Sequence, residues 1–353
     1  MIDANARVLL IYTGGTIGMV ENAITGILEP FNFAHLKDKL PEIQRLKFHV
    51  DPIVFDPVID SSDIMPEHWI KMVKMIEENY AKYDGFVILH GTDTMSYTAS
   101  ALSFMLENLT KPVVLTGAQL PIGKLRTDAR ENLITALEIA ADKDTSGNPI
   151  ISEVCVFFQN DLMRGNRTTK MNADNFNAFK SYNHPNLAKS GIEIRYDETA
   201  FLPSLTKGNL TFHYELDTNV VVLNIFPGIT EKTVKTILSI EGLKGVVLET
   251  YGTGNAPLSD WFLKLIADAV NRGIVIVNVT QCKVGFVDMT RYLTGQALLK
   301  AGVISGYDVT LESAITKLML LLGHKYGAKD VEKRMLRSLT GEITVVEGSR
   351  SKF

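Results

Sequence analysis

Short apolar runs recur along this chain, most of them ending in glycine and hydroxyl-bearing residues, and between them apolar positions fall at helical spacing. Val8–Ile11 reads as a buried parallel strand that opens the fold and delivers the turn Tyr12-Thr13-Gly14-Gly15-Thr16-Ile17-Gly18. Val20–Pro30 is polar and aperiodic, which reads as a loop or lid over the sheet edge, and Phe33–Leu40 reads as a short helix stopped by Pro41. Lys47–Val58 is extended. Asp60-Ser61-Ser62-Asp63 is a run of capping residues ahead of a helix from Pro66 to about Tyr83, striped by Trp69, Val73, Ile76 and Tyr80. Gly85–His90 is a second buried strand, followed by a Gly91-Thr92-Asp93 turn and a helix over Thr94–Leu109. Pro112–Thr116 and Glu153–Phe158 read as strands and Arg126–Ala141 as a helix.

Strands alternating with amphipathic helices predict βαβ units and a parallel sheet covered on both faces. Ser181–Thr218 breaks the alternation with four Pro and Gly residues and no period, and reads as the end of one domain plus a connection. The alternation resumes with strands at Val220–Phe226, Gly245–Glu249 and Ile274–Thr280, and helices near Thr230–Ser239, Trp261–Arg272, Gln296–Ala301 and Leu311–Tyr326. The predicted class is α/β: a larger N-terminal, doubly wound, mostly parallel catalytic domain (1–197), a linker (198–218) and a smaller C-terminal α/β domain (219–353). The tail from Gly341 is expected to fray.

Composition narrows the function classes. Of 353 residues, 46% are hydrophobic and 22% charged, which is ordinary globular content, and a net charge of -4 gives no electrostatic case for nucleic acid or a membrane surface. No apolar run approaches bilayer-spanning length and the start lacks the order of a secretory leader, so the expected location is cytoplasmic. Cys155 and Cys282 both fall in apolar runs, so two reduced, buried thiols are expected.

Several chemistries lack their signatures. The seven histidines are scattered and there is no Cys-x-x-Cys, so no metal or other cofactor is expected. His90 reads as a packed, hydrogen-bonded residue. The glycine turn does not fit a dinucleotide or P-loop spacing, and no Gly-x-Ser-x-Gly elbow appears. What remains is hydroxyls at strand ends, an acid beside one of them, and a loop Met163-Arg164-Gly165-Asn166-Arg167-Thr168-Thr169-Lys170, whose plainest reading is a solvated basic turn. A threonine hydroxyl needs a base, and a lysine kept neutral by desolvation or by nearby cations such as Arg164 and Arg167 can supply one.

Taken together these stretches resemble the type I (cytoplasmic) bacterial L-asparaginases. The likeness runs from Val8 to about Glu342, on YTGGTIG at Tyr12, DSSDI at Asp60, FVILHGTDTMSYTASALSFMLENL at Phe86, TGAQLP at Thr116, RGNRTTK at Arg164 and YGTGNAP at Tyr251. The resemblance implies hydrolysis of L-asparagine to L-aspartate and ammonia, with Thr16 as primary nucleophile and Thr92, Asp93 and Lys170 as a second triad; which threonine attacks first stays open. It implies that Ser61 binds the substrate carboxylate, Asp60 and Ser62 flank it, Asp93 holds the α-amino group, and the backbone at Thr92 and Ala118 stabilises the oxyanion. Asn255 is implied to reach a neighbouring subunit's site in a homotetramer, a dimer of dimers. Ser62 stands where relatives with greater glutamine activity carry glutamine, which implies a preference for asparagine over a weak glutaminase activity.

Two departures stand out. The family's lid tyrosine has no counterpart in Ala23–Leu28, with Tyr292 the substitute considered. Some members bind asparagine at an effector site through an arginine where this chain has Glu249, with Thr169, Thr280 and Cys282 matching other parts of it, so asparagine cooperativity is expected to be weak or absent. The competing readings are the asparaginase-like subunit of a tRNA-dependent amidotransferase, which carries an added N-terminal domain, and a catalytically dead amino-acid sensor.

Overall fold

In the computed structural model, which describes residues 3–21, 28–30, 41–203 and 208–344, the chain divides into two units, Met1–Tyr214 and Glu215–Phe353. The first is built on an eight-stranded sheet of β1 (Arg7–Tyr12), β2 (His49–Val54), β3 (Gly85–Leu89), β4 (Val113–Thr116), β5 (Val154–Phe158), β6 (Asp161–Arg164), β7 (Ala188–Ser190) and β8 (Ile194–Tyr196). Their spatial order is β8-β7-β6-β5-β4-β3-β1-β2. The strands from β2 to β5 run parallel and β6–β8 finish the sheet in antiparallel.

Continuous apolar runs form the central strands because both faces are covered. Val8, Leu10, Tyr12, Val87, Leu89 and Val114 face a core shared with Leu133, Ala136, Leu137 and Ala140 of helix α3 (Ala129–Ala141). Helix α2 (Met95–Met105) packs on β4 and β5, and α1 (Pro66–Asn79) packs on α2 with Trp69, Met72, Val73 and Ile76 buried.

Several expected boundaries move, each for a local reason. Asp60 caps the short turn Ser61–Asp63 rather than α1, whose N-cap Met65 donates its N–H to His68 Nδ1 at 2.9 Å. The α2 helix stops at Met105 because Leu106–Glu107 pairs with Thr211–Phe212. Within Ser181–Thr218, the expected end of the first domain supplies β7 and β8 and buries Leu187 and Ala188, and Ala200, in the expected linker, joins the first core. These strands are three residues long, too short to show a period. The predicted helix at Phe33–Leu40 lies outside the described residues.

The second unit carries four parallel strands in the order β9 (Val220–Asn224), β10 (Gly245–Thr250), β11 (Val275–Thr280) and β12 (Ile304–Ser305). Helices α4 (Glu231–Leu238), α5 (Asp260–Asn271) and α6 (Leu293–Lys300) contribute to one core, and α7 (Leu311–Gly323) and α8 (Ala328–Met335) to the other. β12 and α8 were not legible as periodic segments. The fraying expected from Gly341 is corrected as far as Thr344, since Glu342 and Ile343 are buried and Thr344 is held by Asp308; the rest of the tail lies outside the described residues.

Candidate active site

The site forms where the parallel strands end. Tyr12 is in register with Leu89, and Leu89 with Thr116. The ladder continues one step further, with Thr13 N–H donating to Leu89 O at 3.0 Å and His90 N–H to Thr116 O at 2.9 Å. The chain leaves β1 toward β2 on one side and β3 toward β4 on the other, so the crevice between β1 and β3 is the switch point where open α/β sheets bind ligands.

Two glycines set how closely the turns meet. Gly15 has φ 90, and a Cβ there would lie 2.5 Å from Gly91 Cα. A Cβ on Gly91 would lie 2.4 Å from Ser61 Oγ. The Thr16 and Thr92 turns therefore pack backbone to backbone, and the Ser61 side chain packs onto the Gly91 backbone, approaches that glycine permits.

Lys170 enters from a neighbouring hairpin. Its Nζ donates to Thr92 Oγ1 at 2.9 Å and to Asp93 Oδ1 at 2.6 Å. Thr92 Oγ1 in turn donates to Gln119 Oε1 at 3.2 Å. Asp93 is largely exposed while the Lys170 side chain is mostly covered. Ser61 is buried, and its carbonyl accepts from Thr94 Oγ1 at 2.6 Å. Ser62 is exposed and turns its hydroxyl onto Asp60 Oδ1 at 2.8 Å; the Ser62 N–H first, and then that hydroxyl, hold the Asp60 carboxyl below the usual carboxylate range. Ala118 is buried beside this cluster on the turn after β4, and Thr16 is half-buried at the head of a short 3-10 turn.

The basic loop is not solvated. Arg164, Asn166, Arg167, Thr168 and Thr169 are all buried, and Arg164 pairs with Glu153 at 2.6 Å while donating to Ala200 O at 2.8 Å. Arg164 is thus a neutralised structural cation, and what keeps Lys170 in place is the strand it rides on, Thr168–Lys170 paired with Phe179–Ser181.

His90 supports the Thr92 turn through a buried chain. Trp69 Nε1 can only donate, and does so to Thr98 Oγ1 at 3.0 Å. Gly91 O can only accept, so His90 Nδ1–H donates to it at 2.6 Å, and Nε2 of the neutral ring accepts from Thr98 Oγ1 at 2.9 Å. Burial pushes the imidazole down to about 4 from an ordinary 6.5. Between those limits the unfolded chain binds a proton that the folded one refuses, so stability rises with pH across that window and is lost on acidification. A loss of roughly 3 kcal/mol from pH 6.5 to pH 4 is expected from this group. Urea unfolding across that range should show a shallower pH dependence in His90→Gln; an unchanged slope would refute the assignment.

Two family descriptions match the sequence: "Asparaginase, N-terminal" over residues 7–201 and "Glutaminase/Asparaginase C-terminal domain" over residues 219–335. The chain belongs to the asparaginase family. It is 46% identical to L-asparaginase 1 of Escherichia coli (strain K12), an alignment covering 94% of this chain and 96% of that one. Among solved structures it resembles L-asparaginase I from Vibrio cholerae O1 biovar eltor, with a TM-score of 0.87, 40% identity, and 97% of this chain and all of that one covered. A glutamyl-tRNA(Gln) amidotransferase subunit from Pyrococcus furiosus is a more distant relative, 35% identical over 96% of this chain and 76% of its own length.

In this asparaginase, Asn255 lies in the second unit, where its Oδ1 accepts from Thr294 Oγ1 at 2.6 Å. Glu249, Thr280 and Cys282 gather at the ends of β10 and β11, whereas Thr169 belongs to the first unit. Thr280 Oγ1 donates to Gly252 O at 2.6 Å and accepts from Cys282 N–H at 3.0 Å; Glu249 accepts from Asn224 Nδ2 at 3.1 Å, and burial raises its carboxyl. Cys282 corrects the cysteine expectation, because it sits past the end of β11 and is exposed, while Cys155 is buried as expected. Tyr292 is exposed at the N-cap of α6 under the Arg291 guanidinium, and the lid segment Ala23–Ile27 lies outside the described residues. His90 is packed and hydrogen-bonded as the sequence indicates, whereas its partners Thr98 and Trp69, and Gln119 inside the strand-end motif at Thr116, carried no sequence signal of these contacts. Among the described residues no helix is long and apolar enough to cross a membrane.

Proposed function

We propose that this protein hydrolyses L-asparagine to L-aspartate and ammonia, using Thr16 as nucleophile. The observation that carries the reading is Lys170 Nζ held at 2.9 Å from Thr92 Oγ1 and 2.6 Å from Asp93 Oδ1, beside the turn that bears Thr16. Its likeness to L-asparaginase 1, at higher identity than to the amidotransferase relative, favours free asparagine over a tRNA-dependent role.

In this reading Ser61 takes the substrate α-carboxylate, with Asp60 and Ser62 at its flank, and Asp93 takes the α-ammonium through the oxygen Lys170 does not use. Clamping both α-substituents places the side-chain amide within attack distance. Thr16 Oγ attacks the amide carbon, and the backbone N–H groups at Thr92 and Ala118 stabilise the oxyanion, each worth about 3 kcal/mol of barrier. Thr16 gives up its hydroxyl proton as it attacks, the lysine–threonine pair passes that proton to the departing nitrogen, ammonia leaves, and water then cleaves the β-aspartyl ester and returns a proton to Thr16. The proposal extends to a cytoplasmic homotetramer in which Asn255 completes a neighbouring site.

Regulation follows from Glu249. A half-buried carboxyl at the effector position opposes binding of a second carboxylate there. Ammonia release from free asparagine, without tRNA or partner, is therefore expected to follow a hyperbolic saturation curve. Absence of ammonia would favour the amidotransferase or sensor readings. A sigmoidal curve that changing Thr280 or Cys282 abolishes would refute the reading of Glu249.

A further inference from the structure

The side-chain amide of Gln119 has only one orientation that fits its neighbours. Its Nε2 lies 3.2 Å from Ala173 O and 3.0 Å from Asn175 O, and both partners can only accept. Oε1 must then face Thr92, where it stands 3.2 Å from Oγ1. The backbone beneath it is equally held, since the Asp128 carboxylate accepts from Gln119 N–H at 3.0 Å and from Leu120 N–H at 3.1 Å. Asn132 ties the same turn down by donating to Gly117 O at 3.0 Å.

This constrains the one hydrogen of Thr92. A Lys170 ammonium has no lone pair, so at 2.9 Å it can only donate to Thr92 Oγ1. The Thr92 hydrogen must go elsewhere, and the acceptor in reach is Gln119 Oε1. When Lys170 is neutral, its lone pair competes for the same hydrogen, and the hydroxyl must turn from Gln119 to Lys170 before a proton can pass between them.

We propose that Gln119 is a positioning residue that aims the Thr92 hydroxyl away from Lys170 in the resting enzyme, so that its carbonyl sets the pH at which the lysine–threonine pair becomes competent. It acts through Thr92, not on the substrate, and it links that hydroxyl to the loop 173–175 that follows Lys170. The inference rests on the reading of Lys170 and Thr92 as the proton-handling pair. The charged groups around that pair are Asp93 on Lys170, Asp128 under the Gln119 backbone, Asp174 in the clamped loop and Arg167 on the turn before the lysine strand; helix α2 contributes none.

The test is the pH dependence of kcat/KM for asparagine in the full chain, comparing wild type with Gln119→Leu and Gln119→Glu. Removing the acceptor penalises only the ammonium form, so the acid limb in Gln119→Leu is expected to move down by about half to one pH unit, the size of one hydrogen bond. Gln119→Glu adds an anion that favours the ammonium, and its limb should move up. Limbs that stay put while kcat/KM falls uniformly would overturn the proposal and leave Gln119 as a loop support. Neutron diffraction of deuterated wild-type crystals below the acid limb tests the same claim without activity. Deuterium on Thr92 Oγ1 aimed at Gln119 Oε1 supports it, and any other direction overturns it. If wild type releases no ammonia while the deuterium points to Gln119, the functional reading fails and takes the claim about pH with it, while the placement of the Thr92 hydrogen stands.

Discussion

Thr16→Ala is expected to lower kcat for asparagine by at least ~10³-fold while leaving the fold and weak substrate binding in place, because only the attacking atom is removed. The reason for so large an effect lies in how the site is divided. Ser61, Asp93 and the backbone donors to which the proposed mechanism gives the positioning of the amide come from turns that do not depend on the Thr16 side chain. The 3-10 turn that carries Thr16 is held by the Gly18 N–H on Gly15 O and by burial of Ile17, neither of which the hydroxyl contributes to. Single-turnover assays with Thr16→Ala, read beside circular dichroism, separate chemistry from folding. A rate within about tenfold of wild type would assign the nucleophile elsewhere, with Thr92 next in line.

The second large effect is on stability and concerns the C-terminal end of the second unit. Lys317 on α7 and Glu342 are both almost wholly buried, with Nζ 2.6 Å from Oε1. Burial lowers the lysine pKa, opposed by the charge and hydrogen bond of Glu342. Lys317 also donates to Met335 O and Arg337 O, and Glu342 accepts from Leu339 and Thr340 N–H groups, so the pair fastens the segment after α8 onto α7. Removing one partner leaves a buried charge unmatched. Lys317→Met or Glu342→Ala should each cost about 3–5 kcal/mol in urea unfolding. The double variant should lose clearly less than the two single losses added together, because the second change removes an already stranded charge. Losses under about 1 kcal/mol for each single variant would show that water or relaxation solvates the survivor.

How much of this was readable from the amino-acid order depends on the range of the interaction involved. The parallel strands were readable because β1 after Arg7, β3, β4 up to Thr116 and β5 are near-continuous apolar runs, a pattern that burial on both faces requires. The helices were readable where a stripe repeats over several turns, as in α1 and α3, with ends misplaced by a few residues when a cap or a pairing strand intervened. The glycine and hydroxyl turns mark the ends of the right strands, so Thr16, Thr92 and Ala118 stand out in the amino-acid order itself.

Long-range partners were beyond local pattern. Lys170 meets Thr92 across 78 residues and Asp93 across 77, and nothing in the loop's composition distinguishes that lysine from a solvated one. Arg164 read as an exposed cation because its partner Glu153 stands just before the adjacent strand, 11 residues away, and Cys282 read as buried because the apolar run before it ends two residues earlier, at Thr280. By itself, then, the sequence determined the α/β class, the strand ends and the kinds of side chain placed there, since these follow from hydrophobic period and backbone sterics. Tertiary structure alone decided which amine meets which hydroxyl, where Gln119 sends the Thr92 hydrogen, and which charges are buried in pairs, because each of those needs two distant segments brought within hydrogen-bond reach.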